Sequence, residues 1–275
     1  MRTKKIGLFD SGYGGLTILK DIRRLLPEYD YIYLGDNARA PYGTRSFEVV
    51  YQFTLQAVKK LFALDCDLVI LACNTASAKA LRSIQQIDLP KIDSNKRVLG
   101  VIRPTAEQIG KFTSTQVVGV LGTNGTVSSE SYVLEIKKHY PKILTIQKAC
   151  PLWVPLIENN RHYSKGGQSL IEEDFKELLN MHPALDTVLL ACTHYPIIQE
   201  YLDQLGQGKV QIVAQGEIVA RSLKDYLQRN KGIEGNLTQN ATIKYLTTEK
   251  TEDFNSSVAR FIGERVLSEQ VHIDT

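Results

Sequence analysis

The chain has 275 residues, of which 43% are hydrophobic and 23% charged. This amount of apolar material is typical of a compact globular protein and excludes a disordered chain. The formal net charge is +3, and the basic residues are scattered along the sequence. A nucleic acid is therefore not expected as the main partner.

The N-terminal residues and the cysteines indicate the compartment. After Lys5 a short apolar run ends at Asp10, without the longer apolar stretch of a signal peptide, and no window approaches the roughly 20 apolar residues of a membrane span. Four cysteines without a C-x-x-C pair favour reduced thiols over a disulfide framework or a structural zinc site. We expect a cytoplasmic protein that binds neither a membrane nor a metal ion.

Short apolar runs alternate with longer segments of helical period, a pattern typical of repeated βα units around a parallel sheet. The predicted strands cover residues 6–9, 31–34, 68–71, 98–101, 117–121, 144–147, 188–190, 210–213 and 243–247. The predicted helices cover residues 16–26, 46–64, 77–84, 129–139, 169–180, 198–205, 217–230 and 254–267. The helix at 169–180 shows a capping-box pattern, in which Ser169 is the N-cap and Glu172 the partner.

These strands are too many for one small sheet. We expect an α/β fold of two similar doubly wound parallel-sheet domains, related by pseudo-symmetry, with the active site in the cleft between them. The polar stretch at residues 91–96 and the turn at residues 206–208 are the predicted crossing points. They give a discontinuous first domain, residues 1–96 and 209–275, and a second domain, residues 97–208.

An internal quasi-repeat places a cysteine after each of two matching apolar strands. Residues 68–75 read LVILACNT and residues 187–194 read TVLLACTH, so Cys73 and Cys192 both lie at a strand's carboxyl end. Ligands bind at that edge in open α/β sheets. Backbone N–H groups and a helix dipole there are expected to favour the thiolate. Cys66 lacks such surroundings, and we interpret it as a structural residue. Cys150 follows a strand but leads into the apolar residues 153–156, which favours a structural role over a functional one.

Acidic residues follow other predicted strands. Asp10 precedes a glycine-rich stretch that either holds an anion or forms a tight βα turn with no ligand. Asp36 is either an acid/base helper or the residue that forms an Asx turn. Glu158 is either a carboxylate near the site or a surface residue. His194 lies next to Cys192, where it could donate a proton or polarise the thiol.

Two thiols from two domains suit one type of reaction. A cysteine protease or an acyl transferase needs a single nucleophile, and a disulfide oxidoreductase needs a C-x-x-C or an exposed resolving pair. Inversion at a carbon acid uses both thiols, because one removes the Cα proton from one face while the other delivers a proton to the opposite face. No cofactor is needed when hydrogen-bond donors stabilise the carbanion.

Five motifs follow one another along the chain. They are DSGYGG at residues 10–15, GDNARAPYG at 35–43, ACNTAS at 72–77, ACPLWVPLIE at 149–158 and LACTHYP at 190–196. Together they span almost the whole chain, which resembles the glutamate racemases within the superfamily of two-cysteine, cofactor-independent aspartate and glutamate racemases. The HYP triplet after the second cysteine is similar to the glutamate branch.

The resemblance implies a role for each matching residue. The implied catalytic set is Cys73, Cys192, Asp10, His194, Asp36 and Glu158. The first thiol is expected to take the proton from D-glutamate with help from Asp10, and the second from L-glutamate with help from His194. The remaining two acids are expected to support them. The residues expected to hold the substrate are Asp10, Ser11, Tyr42, Gly43, Asn74, Thr75, Thr123, Thr193 and His194.

The resemblance also implies a biological setting. The product D-glutamate would serve bacterial peptidoglycan synthesis, and the family suggests a homodimer. Because the chain begins close to its first strand, we expect no dependence on an activator. At Thr105 the family usually carries glycine, so we expect the local turn to differ. The alternatives are another two-thiol racemase, acting on aspartate or a hydantoin, and a non-catalytic two-domain amino-acid-binding protein, in which two activated thiols would be open to oxidation.

Overall fold

The computed structural model describes residues 3–273 and contains two parallel β-sheets. The strands of this part of the chain are β1 (Lys5–Asp10), β2 (Tyr31–Gly35), β3 (Cys66–Leu71), β4 (Arg97–Gly100), β5 (Val117–Gly122), β6 (Leu144–Ala149), β7 (Thr187–Ala191), β8 (Gln211–Val213), β9 (Ile243–Thr247) and β10 (Ser268–Gln270).

The helices alternate with the strands. They are α1 (Leu16–Leu25), α2 (Phe47–Ala63), α3 (Asn74–Lys79), α4 (Leu81–Ser83), α5 (Leu89–Ile92), α6 (Ile102–Ile109), α7 (Asn124–Ser128), α8 (Ser131–His139), α9 (Trp153–Glu158), α10 (Lys165–Asn180), α11 (Gln199–Gly206), α12 (Gly216–Arg229), α13 (Lys231–Glu234) and α14 (Thr251–Ile262). A π-helical turn covers Ile84–Asp88, and 3₁₀ segments cover Asn37–Arg39, Arg161–Tyr163 and Tyr195–Ile198.

The two sheets repeat one strand order. The first sheet has the order β10-β9-β2-β1-β3-β4 and the second has β6-β5-β7-β8. The run β2-β1-β3-β4 corresponds to β6-β5-β7-β8, so β1 matches β5 and β3 matches β7. All of these pairs are parallel. The predicted fold class, two similar parallel-sheet α/β domains, is confirmed.

Each sheet is buried on both faces, which explains why its central strands are continuously apolar. Strand β1 sends Ile6 and Leu8 towards one core and Phe9 towards the other. In the second sheet, Leu121 and Val120 of β5 divide in the same way between two cores. Helices cover all four faces, which leaves the strand ends as the place for a site.

Sheet membership corrects the two predicted crossing points. Strand β4, assigned from the sequence to the second domain, pairs with β3 in the first sheet. Strand β8, assigned to the first domain, pairs with β7 in the second sheet. The chain therefore crosses after Gly100 and after Val213, because the polar stretches at 91–96 and 206–208 are turns within a domain.

The predicted strands agree with the structure to within two residues at each end. The capping box is wrong: α10 begins at Lys165, and the Ser164 hydroxyl accepts the hydrogen bond from Gly167 N. Strand β10 was missed because its sequence, SEQ, is polar. Thr105 lies within α6 rather than in a turn.

Candidate active site

The two sheets share a cavity of about 120 Å³ at the carboxyl ends of their central strands. The first domain contributes the ends of β1 and β3, and the second contributes the ends of β5 and β7, which is the switch point of each sheet. The lining residues are Ser11, Gly12, Ala40, Pro41, Tyr42, Gly43, Thr44, Cys73, Asn74, Thr75, Thr123, Asn124, Pro151, Val154, Pro155, Glu158, Cys192, Thr193 and His194.

Cys73 follows β3 at the start of α3 and is buried. Its sulfur lies 3.4 Å from Ser11 Oγ and 3.5 Å from the N–H of Ala76. Burial, with the nearby Asp10 charge, raises the pKa of the Cys73 thiol to about 12. The expectation that the strand end favours a thiolate is therefore wrong for Cys73 in the free protein, because desolvation outweighs the two hydrogen bonds to the sulfur.

Cys192 follows β7 and has a different neighbour. Its sulfur lies 4.0 Å from His194 Nδ1, and the other ring nitrogen, Nε2, lies 2.9 Å from Glu158 Oε1. Burial alone would lower the pKa of His194, but its hydrogen bonds to Cys192 and Glu158 raise the pKa to about 10. A protonated His194 therefore stands between Cys192 and Glu158 at neutral pH. Glu158 faces the cavity and is not an ordinary surface residue.

Asp10 lies behind the cavity wall rather than on it. Its Oδ1 accepts from the N–H of Gly12 at 2.9 Å, and its Oδ2 accepts from Thr193 Oγ1 at 3.3 Å. Complete burial raises the pKa of the Asp10 carboxyl. Because Thr193 belongs to the second domain, the Asp10 carboxyl ties the two halves of the site together.

Asp36 is also buried behind the wall. Its Oδ2 accepts hydrogen bonds from Tyr42 OH and, at 2.7 Å, from Arg39 Nε, while its Oδ1 accepts from Thr248 Oγ1 at 3.0 Å. Burial and the Asp36 charge raise the pKa of Tyr42, so the phenol stays protonated. In this structure Asp36 fixes Tyr42 at the wall and does not itself line the cavity.

Most of the predicted substrate-binding side chains line the cavity. Thr75 and Thr123 come from different domains, and their hydroxyl oxygens lie 2.8 Å apart. Asn74 is already engaged, because its Nδ2 donates to Gln215 Oε1 at 2.8 Å and its Oδ1 accepts from Tyr132 OH at 2.5 Å. Asp10 is the predicted binding residue that the structure leaves behind the wall.

Several supporting residues were missed by the sequence reasoning. Thr17 Oγ1 of α1 donates to the carbonyl of Thr193 at 3.0 Å. The Phe261 ring of α14 meets the His194 ring edge-on, with centroids 5.4 Å apart. Gln215 follows β8, so a polar residue at a strand end was the available signal. The sequence did not indicate a role for Phe261 at the site, because an apolar residue on an amphipathic helix is normally expected to lie in the hydrophobic core.

The remaining features of the described residues concern metal ligands, membrane spans and the other two cysteines. Within residues 3–273, no group of three or more His, Cys, Asp and Glu side chains is arranged to hold a metal ion. Across the same part of the chain, every helix is too short or too polar to cross a membrane. Cys66 and Cys150 are buried outside the cavity, and burial raises the pKa of the Cys66 thiol to about 12.

The model of the Asp/Glu/Hydantoin racemase family matches residues 15–223. The chain belongs to this family. A glutamate racemase of Bacillus cereus is 36% identical over 264 residues, which are 96% of this chain and 94% of that protein. A glutamate racemase of Geobacter metallireducens is 39% identical over 229 residues, 83% of this chain and 82% of that protein.

Solved structures of relatives superpose on nearly the whole chain. Glutamate racemase isoform RacE1 from Bacillus anthracis has a TM-score of 0.86 at 31% identity and covers 99% of both chains. The Francisella tularensis glutamate racemase, solved in complex with D-glutamate, has a TM-score of 0.85 at 32% identity and covers 100% of this chain and 99% of that one.

Proposed function

We propose that this protein is a glutamate racemase that interconverts L- and D-glutamate without a cofactor. The observation that carries the proposal is the pair of thiols, Cys73 and Cys192, which come from two domains and line one cavity. The curated and solved relatives at 31–39% identity carry the name glutamate racemase, which supports glutamate as the substrate.

The two thiols divide the reaction between the two faces of Cα. From L-glutamate, the Cys192 thiolate takes the Cα proton and the electron pair of the C–H bond stays on the substrate. The Cys73 S–H then delivers its proton to the opposite face, which leaves Cys73 as the thiolate. The buried Cys73, with a pKa of about 12, starts as the protonated partner that this direction requires. The reverse direction starts from the Cys73 thiolate.

The charges around the cavity fit the groups of an amino acid. Protonated His194 offers a proton near Cys192, and its partner Glu158 balances that charge. Hydroxyl groups of Ser11, Thr75 and Thr123 can donate to carboxylate oxygens and to the charge that develops at the carbanion. A cavity of about 120 Å³ is several times larger than the ~10–15 Å³ that a single water molecule needs, so it has room for a small organic molecule.

The proposed function also suggests a metabolic role, a compartment and an oligomeric state for the protein. D-glutamate made by this enzyme would supply peptidoglycan synthesis in the cytoplasm, and we propose that it acts as a homodimer. The exposed side chains of Leu152 and Leu170 line one surface groove, where a second copy could cover them. Light scattering on the purified protein measures the oligomeric state directly.

The test follows both enantiomers of glutamate in D₂O, without added cofactor or activator. Wild-type protein should convert L-glutamate to D-glutamate that carries deuterium at Cα, while the remaining L-glutamate keeps its proton at early times. Cys73→Ala and Cys192→Ala should each abolish racemisation. The first variant should still exchange the Cα proton of L-glutamate, and the second only that of D-glutamate.

Cys66→Ala is the matched control, because this thiol is equally buried but lies outside the cavity. It should keep almost full activity. A single active-site variant that racemises at a near-normal rate in both directions would contradict the two-base mechanism. A folded wild type that is inactive on glutamate but active on aspartate or a hydantoin would point to another two-thiol racemase, and inactivity on all of these to a binding protein.

A further inference from the structure

A closed ring of buried hydrogen bonds lies beside the cavity, between the two places where the chain crosses from one sheet to the other. It joins Asn74 of the first domain, Tyr132 of α8 and Gln215 just before α12. Asn74 Nδ2 donates to Gln215 Oε1 at 2.8 Å, Gln215 Nε2 donates to Tyr132 OH at 2.5 Å, and Tyr132 OH donates to Asn74 Oδ1 at 2.5 Å. Each of the three residues is at most 2% exposed.

Considered without its neighbours, the ring could form with its three hydrogen bonds donated in either of two directions, which we call its two senses. If both amides turn over and the Tyr132 hydroxyl proton swings to Gln215, three hydrogen bonds form again with every donor facing an acceptor. The two senses differ in what Asn74 has left to offer. In the observed sense its nitrogen keeps a second N–H, for which no residue within 3–273 is an acceptor. In the reversed sense that part of Asn74 is a carbonyl oxygen.

Thr105 favours the observed sense of the ring over the reversed one. Its hydroxyl donates to the carbonyl of Val101 at 2.7 Å, and a carbonyl can only accept. The Thr105 oxygen is therefore left as an acceptor, and Gln215 Nε2 donates to it at 2.8 Å. Reversing the ring would place Gln215 Oε1 against Thr105 Oγ1, so the hydroxyl would either face a second acceptor or give up its hydrogen bond to Val101 in order to donate to Gln215. Either way the buried site loses one hydrogen bond, which is unfavourable.

We propose that Thr105 is a positioning residue, which acts through Gln215 and Tyr132 to make Asn74 present an N–H rather than a lone pair to an anionic substrate. This inference rests on the proposed function, because glutamate offers carboxylates that only accept hydrogen bonds. Asn74 lines the cavity directly after Cys73, so its orientation bears on how the substrate lies against that thiol.

The decisive variants are Thr105→Val, which keeps the shape but removes the hydroxyl, and Thr105→Ser, which restores it. The carboxylate contact exists in the ground state as well as in the transition state, so its loss should raise KM about tenfold and change kcat by less than about threefold. Thr105→Ser should stay within about twofold of wild type. The equilibrium constant between enantiomers is one, so kcat/KM must fall equally in both directions.

Thr54 supplies the matched control. It is buried within α2, and its hydroxyl donates to the carbonyl of Val50 at 2.7 Å, the same helical contact that Thr105 makes. Thr54→Val should leave KM and kcat unchanged. Tyr132→Phe, which removes the donor to Asn74 Oδ1, should raise KM as Thr105→Val does, and it serves if Thr105→Val fails to fold.

The outcomes separate the two proposals. A wild type that neither binds nor racemises glutamate contradicts the proposed function. An active wild type in which both Thr105→Val and Tyr132→Phe keep the normal KM, and the normal affinity for D-glutamate by calorimetry, contradicts only the role of Thr105. A fall in kcat with KM unchanged, or an equal defect in Thr105→Ser, would likewise overturn the positioning role.

Discussion

The charge on His194 depends on Glu158, and this dependence can be measured at a single residue. The hydrogen bonds to Cys192 and Glu158 raise the pKa of His194 to about 10 against the burial that would lower it. Glu158→Gln should therefore lower the pKa of His194 and reduce kcat about tenfold, because a smaller fraction of the imidazole then holds a proton beside Cys192 at neutral pH. The titration of His194 by NMR is the measurement.

The interaction between His194 and Glu158 also determines how the stability of the fold changes with pH. A raised pKa of His194 stabilises the fold fully below the unfolded value near 6.5, and this contribution is lost as the pH rises through about 10. Wild-type protein should lose more stability than Glu158→Gln between those limits. Glu107→Gln is the control, because Glu107 lies 3.9 Å from the half-exposed His139 at the surface. An unchanged His194 titration in Glu158→Gln would refute the dependence.

Among the individual residues, the sequence predicted those parts of the candidate site in which a chemically reactive side chain comes at the carboxyl end of a strand. Cys73, Cys192 and Asp10 follow apolar strands, and parallel strands bring their carboxyl ends to one edge. The sequence did not predict that Asp36 fixes Tyr42 from behind the wall, because burial depth is set by tertiary packing. It also did not predict the ring of Asn74, Tyr132 and Gln215, because these residues are distant in the sequence and meet only through tertiary packing.

Among the helices, α10 provides a direct test of where an element begins. The hydroxyl of Ser164 accepts the hydrogen bond from the N–H of Gly167 at 3.1 Å, whereas Ser169 lies exposed inside the helix. Ser164→Ala should lower the free energy of unfolding by about 1 kcal/mol. Ser169→Ala should change it by less than about 0.5 kcal/mol, because it removes no cap. Urea denaturation of both variants makes the comparison, and equal losses would contradict the assigned start.

The error at Ser169 has a physical cause. The segment KGGQ at residues 165–168 contains two glycines, which favour loops in isolation, yet it forms the first turn of α10 because Ser164 caps it. Gly167 is buried close to the carbonyl of Arg161, so packing selects glycine there. The positions of the strands were predictable because each sheet is buried on both faces, which makes its central strands continuously apolar. Helix starts were less so, because local hydrogen bonds and tertiary contacts compete.

At the scale of the molecule, two copies of one strand order face each other across the cavity. Each copy supplies one thiol at its switch point, which accounts for the quasi-repeat around Cys73 and Cys192. The contacts that join the copies lie close to the chemistry: Thr193 donates to Asp10, and Thr17 donates to the carbonyl of Thr193. A change in the spacing of the two domains would therefore also move Cys73 and Cys192 relative to each other.

Gly14 lies in close contact with Thr193 and His194 of the other domain and gives a test for the whole molecule. A Cβ at Gly14 would come within 2.5 Å of His194 Nδ1 and closer still to Thr193 Oγ1, so the two domains would have to separate or the His194 turn would have to move. Gly14→Ala should therefore reduce kcat/KM about 100-fold for both enantiomers, because small misplacements of catalytic groups cost that much.

Gly166→Ala is the matched control, because nothing lies within 4 Å of a Cβ at Gly166 in α10. Its activity should equal that of wild type, and its stability should rise slightly because alanine is the better helix former. Each domain keeps its own core, so Gly14→Ala should unfold near the wild-type temperature while its small-angle scattering shows a larger radius of gyration. A Gly14→Ala protein with normal kinetics would show that the His194 turn can move without cost, and the geometry of this cleft would then not limit the reaction.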